Sequence, residues 1–121
     1  MTEMTIIVEF ETLEGAEPEF TRIISDHARR TLAEERGCLR FEVIKPVGKD
    51  GESLPNKLIV NELYADQAAV TAHNANPRMT PLGQTIAPLL KSRRLILARS
   101  LMDRPFEQGT PPAELNAAND D

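Results

Sequence analysis

Lys57-Leu58-Ile59-Val60-Asn61-Glu62-Leu63-Tyr64, residues 57–64, is the stretch on which the fold turns. It reads as a strand whose two parities are both largely apolar, with Leu58, Val60 and Tyr64 on one face and Ile59 and Leu63 on the other. A strand that is apolar on both faces must be covered on both faces. Glu62 stands in the middle of it, where an unpaired carboxylate is costly to bury.

Upstream, Thr5 to Thr12 alternates, with Ile6, Val8 and Phe10 opposed to Ile7, Glu9 and Glu11, which predicts a first strand. Glu14-Gly15-Ala16 predicts a turn. Pro18 between Glu17 and Glu19 suits a helix start, where no N–H is needed and negative charge meets the dipole. Phe20, Ile23, Ile24, His27, Ala28 and Thr31 form one stripe of a helix over 17–36. Gly37 is expected to end it with a positive φ. Cys38 to Lys45 reads as the second strand, with Leu39, Phe41 and Val43 on one side. Pro46 to Asn56 holds two glycines and two prolines and predicts a loop.

Downstream, Asp66 is a natural N-cap for a short helix to about Ala75, which Asn76-Pro77 breaks. Thr80-Pro81 opens another, with Leu82, Ile86, Leu89 and Leu90 inward and Pro88 tightening its end. Arg93 to Met102 predicts the last strand. Residues 1–104 form one domain, and about 105–121 a flexible or partner-draped tail of Pro, Gly, Asn and Asp. The order strand, helix, strand, strand, helix, strand is the split βαβ signature of an α+β, ferredoxin-like antiparallel sheet. Helices cover one sheet face; the simplest cover for the other is a second copy, so a homodimer through the sheet faces is expected.

Composition narrows the partners. The 121 residues fit one domain, and with 40% hydrophobic and 4% aromatic residues the core is thin. The net charge of −5, from 19 acidic and 14 basic residues, disfavours both nucleic acid and anionic membranes. The single cysteine, Cys38, forms no internal disulfide and reads as packing. No metal-ligating cluster, phosphate loop or Ser/His/Asp order is visible, so neither metal nor cofactor is expected. No basic and apolar leader and no long apolar run stand in the chain, and the cytoplasm is the default expectation.

His73 follows Val70 by three residues, so its helix can aim it inward; it is either a base or a histidine capping the helix end. In the first case its packing contribution is modest and its loss should change stability little; in the second its loss should lower stability and spare turnover. Glu62 either orients His73, acts as an acid itself, or makes a structural hydrogen bond or salt bridge, with Arg40, Arg93 and Arg99 as candidate partners. His27, on the apolar stripe, is either a second titrating group or a core histidine. Asn61, Tyr64 and Phe41 are candidate substrate contacts, Phe41 being otherwise core like Phe10 and Phe20.

Two segments are familiar. Gly37-Cys38-Leu39-Arg40-Phe41-Glu42-Val43 resembles the helix-to-strand joint of the antibiotic biosynthesis monooxygenase family. Glu62-Leu63-Tyr64, Asp66-Gln67-Ala68-Ala69, Ala72-His73 and Asn76-Pro77 resemble its second landmark. The resemblance runs over about residues 4–102 and implies a dimeric α/β barrel with His73 as the pocket histidine. Its members include cofactor-free quinol oxygenases, haem-degrading enzymes, a sugar-phosphate isomerase and stress proteins. The chain departs from the pattern at Arg78-Met79, where relatives carry an aromatic residue or histidine, and it has no tryptophan. The resemblance implies a cofactor-independent oxygenase of a hydroxylated aromatic ring. An acid–base isomerase of a hydroxy-ketone or sugar phosphate and a non-catalytic binding module are the alternatives.

Overall fold

The structure, a computed structural model, describes residues 2–102; the tail expected at 105–121 lies outside them. The elements are β1 (Met4–Thr12), α1 (Glu17–Glu34), β2 (Cys38–Ile44), β3 (Lys57–Tyr64), α2 (Gln67–Asn74), α3 (Met79–Ile86), a 3₁₀ turn (Ala87–Leu89) and β4 (Leu90–Ala98). The strands form one sheet in the order β2-β3-β1-β4, every pair antiparallel. This is the ferredoxin-like α+β arrangement. Among the described residues no helix is long and apolar enough to cross a membrane.

The local chemistry places each element. Gly15, at a φ of 82°, makes the turn out of β1, a conformation glycine adopts without a Cβ clash. Pro18 lies in the first turn of α1, with Glu17 and Glu19 at the positive dipole end. The stripe read from the sequence is the buried one: Phe20, Ile24, His27, Ala28 and Thr31 face the sheet. They meet Ile6, Val8 and Phe10 of β1 and Leu58, Val60 and Tyr64 of β3 in a single core. Phe10 and Phe20 stack tilted with ring centroids 4.8 Å apart. Each such side chain, once fully buried, contributes about 1.5–3 kcal/mol.

Three expectations are corrected. First, α1 ends at Glu34, where the Glu35 N–H bonds back to Thr31 O, and Gly37 is not among the positive-φ residues. Glycine is required at 37 for a different reason: a Cβ there would collide with Cβ of Ala69 in α2. Gly37→Ala should therefore cost about 1–3 kcal/mol through overpacking of the α2 contact. Urea unfolding checks it, and an unchanged midpoint would return Gly37 to a purely local role.

Second, Leu39 does not share a face with Phe41. The β2–β3 register slips between Cys38 and Arg40, so Leu39 is the extra residue of a bulge and is 46% exposed, while Cys38 and Phe41 both turn into the core. Third, β4 runs over Leu90–Ala98 rather than 93–102. Its partner is β1, and the pairing runs from Thr12↔Leu90 to Thr5↔Ala98; beyond it Leu101 and Met102 are exposed.

The outward sheet face is mixed rather than uniformly apolar. Leu63 is buried, but Glu9, Glu11, Arg40 and Glu42 share the face, and Arg94 pairs with Glu9 across the β1–β4 ladder. Asn61 lies on this face too, its Nδ2 donating to Glu42 Oε1 at 3.3 Å.

Candidate active site

Between the helices and the sheet is a cavity of about 320 Å³ whose lining includes His27, Phe41, Glu62, His73, Leu95 and Leu97. Secondary-structure periodicity brings these side chains together. Asp66 caps α2 by accepting from the Ala69 N–H at 2.8 Å, and that start sets the phase of the helix. Val70 and His73, three residues apart, then both fall on the sheet-facing side. Glu62 faces the same space because it shares its parity with the buried Val60 and Tyr64.

His73 is 3% exposed and sits in a chain of polar contacts. Its Nδ1 lies 2.7 Å from Glu35 Oε1, and its Nε2 lies 3.9 Å from Glu62 Oε1. A carboxylate only accepts, so Nδ1 carries the proton and donates, which leaves Nε2 of the neutral ring as the lone-pair nitrogen. Glu35 is held in turn: Arg78 Nη2 donates to its Oε2 at 2.9 Å, and Asn76 Nδ2 reaches the same oxygen at 3.4 Å. Arg78 Nη1 also reaches Nδ1 of His27 at 3.3 Å.

Glu62 meets none of the three arginines considered for it. The Tyr64 hydroxyl donates to its Oε1 at 2.6 Å, and these two residues are one strand period apart on the same face. Burial pushes the Glu62 carboxyl above its usual range, against the opposing effects of Tyr64 and His73. The tyrosine hydroxyl is pushed up as well, by burial and by the neighbouring Glu62. Cys38 is a core side chain whose thiol burial raises to about 11, and it offers no thiolate nucleophile.

His27 is buried, packs edge-on against Phe41 at 5.5 Å, and lies 5.6 Å from His73 between ring centroids. Burial lowers its pKa to about 4, helped by the charges of His73, Arg78 and Arg30 and opposed by Asp26. In the unfolded chain the ring titrates near 6.5, so between pH 6.5 and 4 the unfolded state binds more protons and stability falls as the pH falls. The size of this contribution is roughly 3 kcal/mol. Glu62 acts in the opposite sense, losing stability as pH rises above 4.5. The difference between wild type and His27→Gln isolates the histidine. That difference should shrink progressively below pH 6.5 in urea titrations, and a constant difference would disprove it.

Of the expected site residues, His73, Glu62, His27 and Phe41 line one cavity. Tyr64 lies behind Glu62 as its hydrogen-bond donor, fully buried. Asn61 does not belong to the group, because odd and even positions of a strand point to opposite faces and it follows Ile59 and Leu63. The expectation that His73 contributes little to packing is also corrected, given its burial and its bond to Glu35. Two residues of the network were not foreseen. Glu35 sits just past the end of α1 in a run of charged residues, Glu34-Glu35-Arg36, with nothing local to mark it. Arg78 stands out in the sequence only as the residue that replaces the usual aromatic or histidine after Asn76-Pro77.

The comparisons with known proteins agree with this architecture. The antibiotic biosynthesis monooxygenase family profile matches residues 4–81. A mutant of SnoaB, a cofactor-independent oxygenase from Streptomyces nogalater, superposes with a TM-score of 0.71 at 19% identity, covering 87% of this chain and 99% of that one. A Caulobacter crescentus CB15 protein named for the same family superposes with a TM-score of 0.73 at 19% identity, covering 84% and 92%. A Mycobacterium tuberculosis protein gives 0.71 at 17%, covering 84% and 98%. At these identities the superpositions speak for the fold, while the profile runs from β1 into the first turn of α3 and includes both His27 and His73. The chain belongs to the antibiotic biosynthesis monooxygenase family.

Proposed function

We propose that the protein is a cofactor-independent monooxygenase of a small hydroxylated aromatic, quinol-type substrate, with His73 as the base. The observation that carries this reading is the buried His73 at an apolar cavity, its Nδ1 proton tied to Glu35 and its Nε2 left free to accept. The SnoaB likeness points the same way. Nε2 takes the proton of a substrate hydroxyl, and the imidazolium that forms is stabilised by Glu35 on one side and Glu62 on the other.

The resulting ring anion gives one electron to O₂, and the superoxide and ring radical combine into a C–O bond at the carbon beside the oxyanion. The peroxide takes the proton back from the His73 imidazolium, and loss of the hydrogen on that carbon as the O–O bond breaks expels water and leaves a carbonyl, one oxygen atom in the product and one in water. All the electrons come from the ring, so the balance needs no further reductant. The apolar walls, Ile6, Val8, Val60 and Val70 among them, keep the anion from being quenched by solvent. Oxygen uptake with a 1,4-naphthohydroquinone and ¹⁸O₂ tests the reading. One labelled atom per product, unaffected by exhaustive chelation, is expected. Turnover lost on chelation and restored by a divalent ion would overturn it, as would no acceleration over autoxidation across a panel of quinols.

Acid–base isomerisation of a small hydroxy-ketone is the second reading, favoured by two histidine rings 5.6 Å apart in one cavity. Solvent deuterium exchange into such a ketone without O₂ uptake would select it.

The working unit is a homodimer. Leu95 and Leu97 of the edge strand β4 line the cavity yet are 60% and 59% exposed. A second copy that covers this apolar surface would also dry the site. Sedimentation should give twice the 13.5 kDa chain mass at micromolar concentration. A stable monomer there would sink the idea.

A further inference from the structure

We infer that Arg78 is a positioning residue that sorts the two histidines into opposite roles, His73 a lone-pair acceptor and His27 an N–H donor into the same cavity. The donor role toward substrate rests on the oxygenase reading above; the sorting itself does not. The starting point is what a guanidinium can do. It has only donors, in a planar fork, and is never deprotonated. Nη2 of Arg78 donates to Glu35 Oε2 at 2.9 Å while Nη1 donates to Nδ1 of His27 at 3.3 Å. Nδ1 of His27 must therefore be the accepting nitrogen, and a neutral His27 ring carries its proton on Nε2.

The other arm of the fork has the reverse consequence. By holding the Glu35 side chain in place, Arg78 secures the carboxylate oxygen that accepts from Nδ1–H of His73 at 2.7 Å. The side chains of Arg78 and Glu35 are 16% and 14% exposed, so this is a largely buried pair whose geometry is constrained by packing. One guanidinium thus fixes two tautomers of opposite sense on rings 5.6 Å apart. A substrate bound between them meets a base at His73 and a hydrogen-bond donor at His27. That donor would stabilise the negative charge that develops on a substrate oxygen once the proton has left. His27 would then act as a neutral electrophile rather than as a second base.

The chain has two histidines, so their ring nitrogens can be assigned without ambiguity. In ¹⁵N-labelled full-length protein at pH 8, long-range proton–nitrogen spectra should show His27 with its proton on Nε2 and His73 with its proton on Nδ1. Arg78→Met should release His27 into a mixture of tautomers, and Arg78→Lys should restore part of the order. A wild-type His27 protonated on Nδ1, two rings of the same tautomer, or spectra unchanged in folded Arg78→Met would each overturn the assignment.

Turnover tests the donor. His27→Gln keeps an N–H and should retain kcat within about tenfold, whereas His27→Leu should lose roughly 10²–10³-fold. Equal losses in the two variants would overturn the donor role. Absence of any quinol turnover in the wild type would sink the oxygenase reading and the donor role with it, and would leave the sorting by Arg78 to stand or fall on the spectra.

Discussion

Replacing His73 with alanine should lower kcat by roughly 10²–10⁴-fold, the range expected for loss of general acid–base help. The same substitution also opens space in a site that is 3% exposed and leaves Glu35 without one of its partners, so lost activity alone would not separate chemistry from folding. His73→Asn makes the separation. The asparagine amide can stand where Nδ1–H stands and donate to Glu35, but it has no nitrogen lone pair to accept a proton. If His73 is the base, His73→Asn should lose as much kcat as His73→Ala while keeping more of its urea stability. If the residue is only structural, the asparagine variant should turn over at nearly the wild-type rate. Glu62→Gln adds a check on the neighbour, since it keeps the shape and removes the charge. A shifted pH–rate profile in that variant places Glu62 in the same titrating system, and an unchanged profile returns it to a structural role with Tyr64.

The largest effect on stability is expected at Glu35. Glu35→Leu removes the carboxylate shared by Arg78, His73 and Asn76 and leaves Arg78 largely buried without its close partner. Breaking a buried ion pair from one side costs roughly 3–5 kcal/mol, because the surviving charge keeps its desolvation penalty. Glu34, half-exposed and 3.4 Å from Arg78 Nε, offsets part of that cost and places the expected loss toward the lower end. The double variant Glu35→Leu/Arg78→Met should lose much less than the sum of the two single variants, since no charge is then stranded. Equilibrium urea unfolding of the four proteins closes the cycle. Additive losses would mean that the pair is not coupled and that the network around His73 is held by packing alone.

Much of the fold was legible because its determinants are local. The alternation of Ile6, Val8 and Phe10, the stripe from Phe20 to Thr31, and the Asp66 cap each express a period or an end signal within a few residues. Those signals place the strands and helices within one or two residues for β1, α1, β2 and α2. They fail where the outcome depends on a partner. The end of β4 follows from the length of β1 beside it, and the bulge at Leu39 follows from how β2 meets β3. Gly37 shows the same limit, since glycine is needed there because of Ala69, a residue in another helix.

The site divides along the same line. By itself, the sequence determined that His27 lies on the buried stripe of α1, that His73 shares a helix face with Val70, and that Glu62 interrupts an apolar strand. Each is a statement about a period. Tertiary structure alone decided which of these groups touch. His73 meets Glu35 across 38 positions, Arg78 meets Glu35 across 43, and Arg78 meets His27 across 51. It also decided that Asn61 points away, that Tyr64 rather than an arginine serves Glu62, and that Glu35 and Arg78, neither of them a site candidate in the sequence, tie the histidines together. Periodicity tells a side chain which way to face, whereas a hydrogen bond needs two chain segments brought within about 3 Å, and that distance is set only when the helices dock on the sheet.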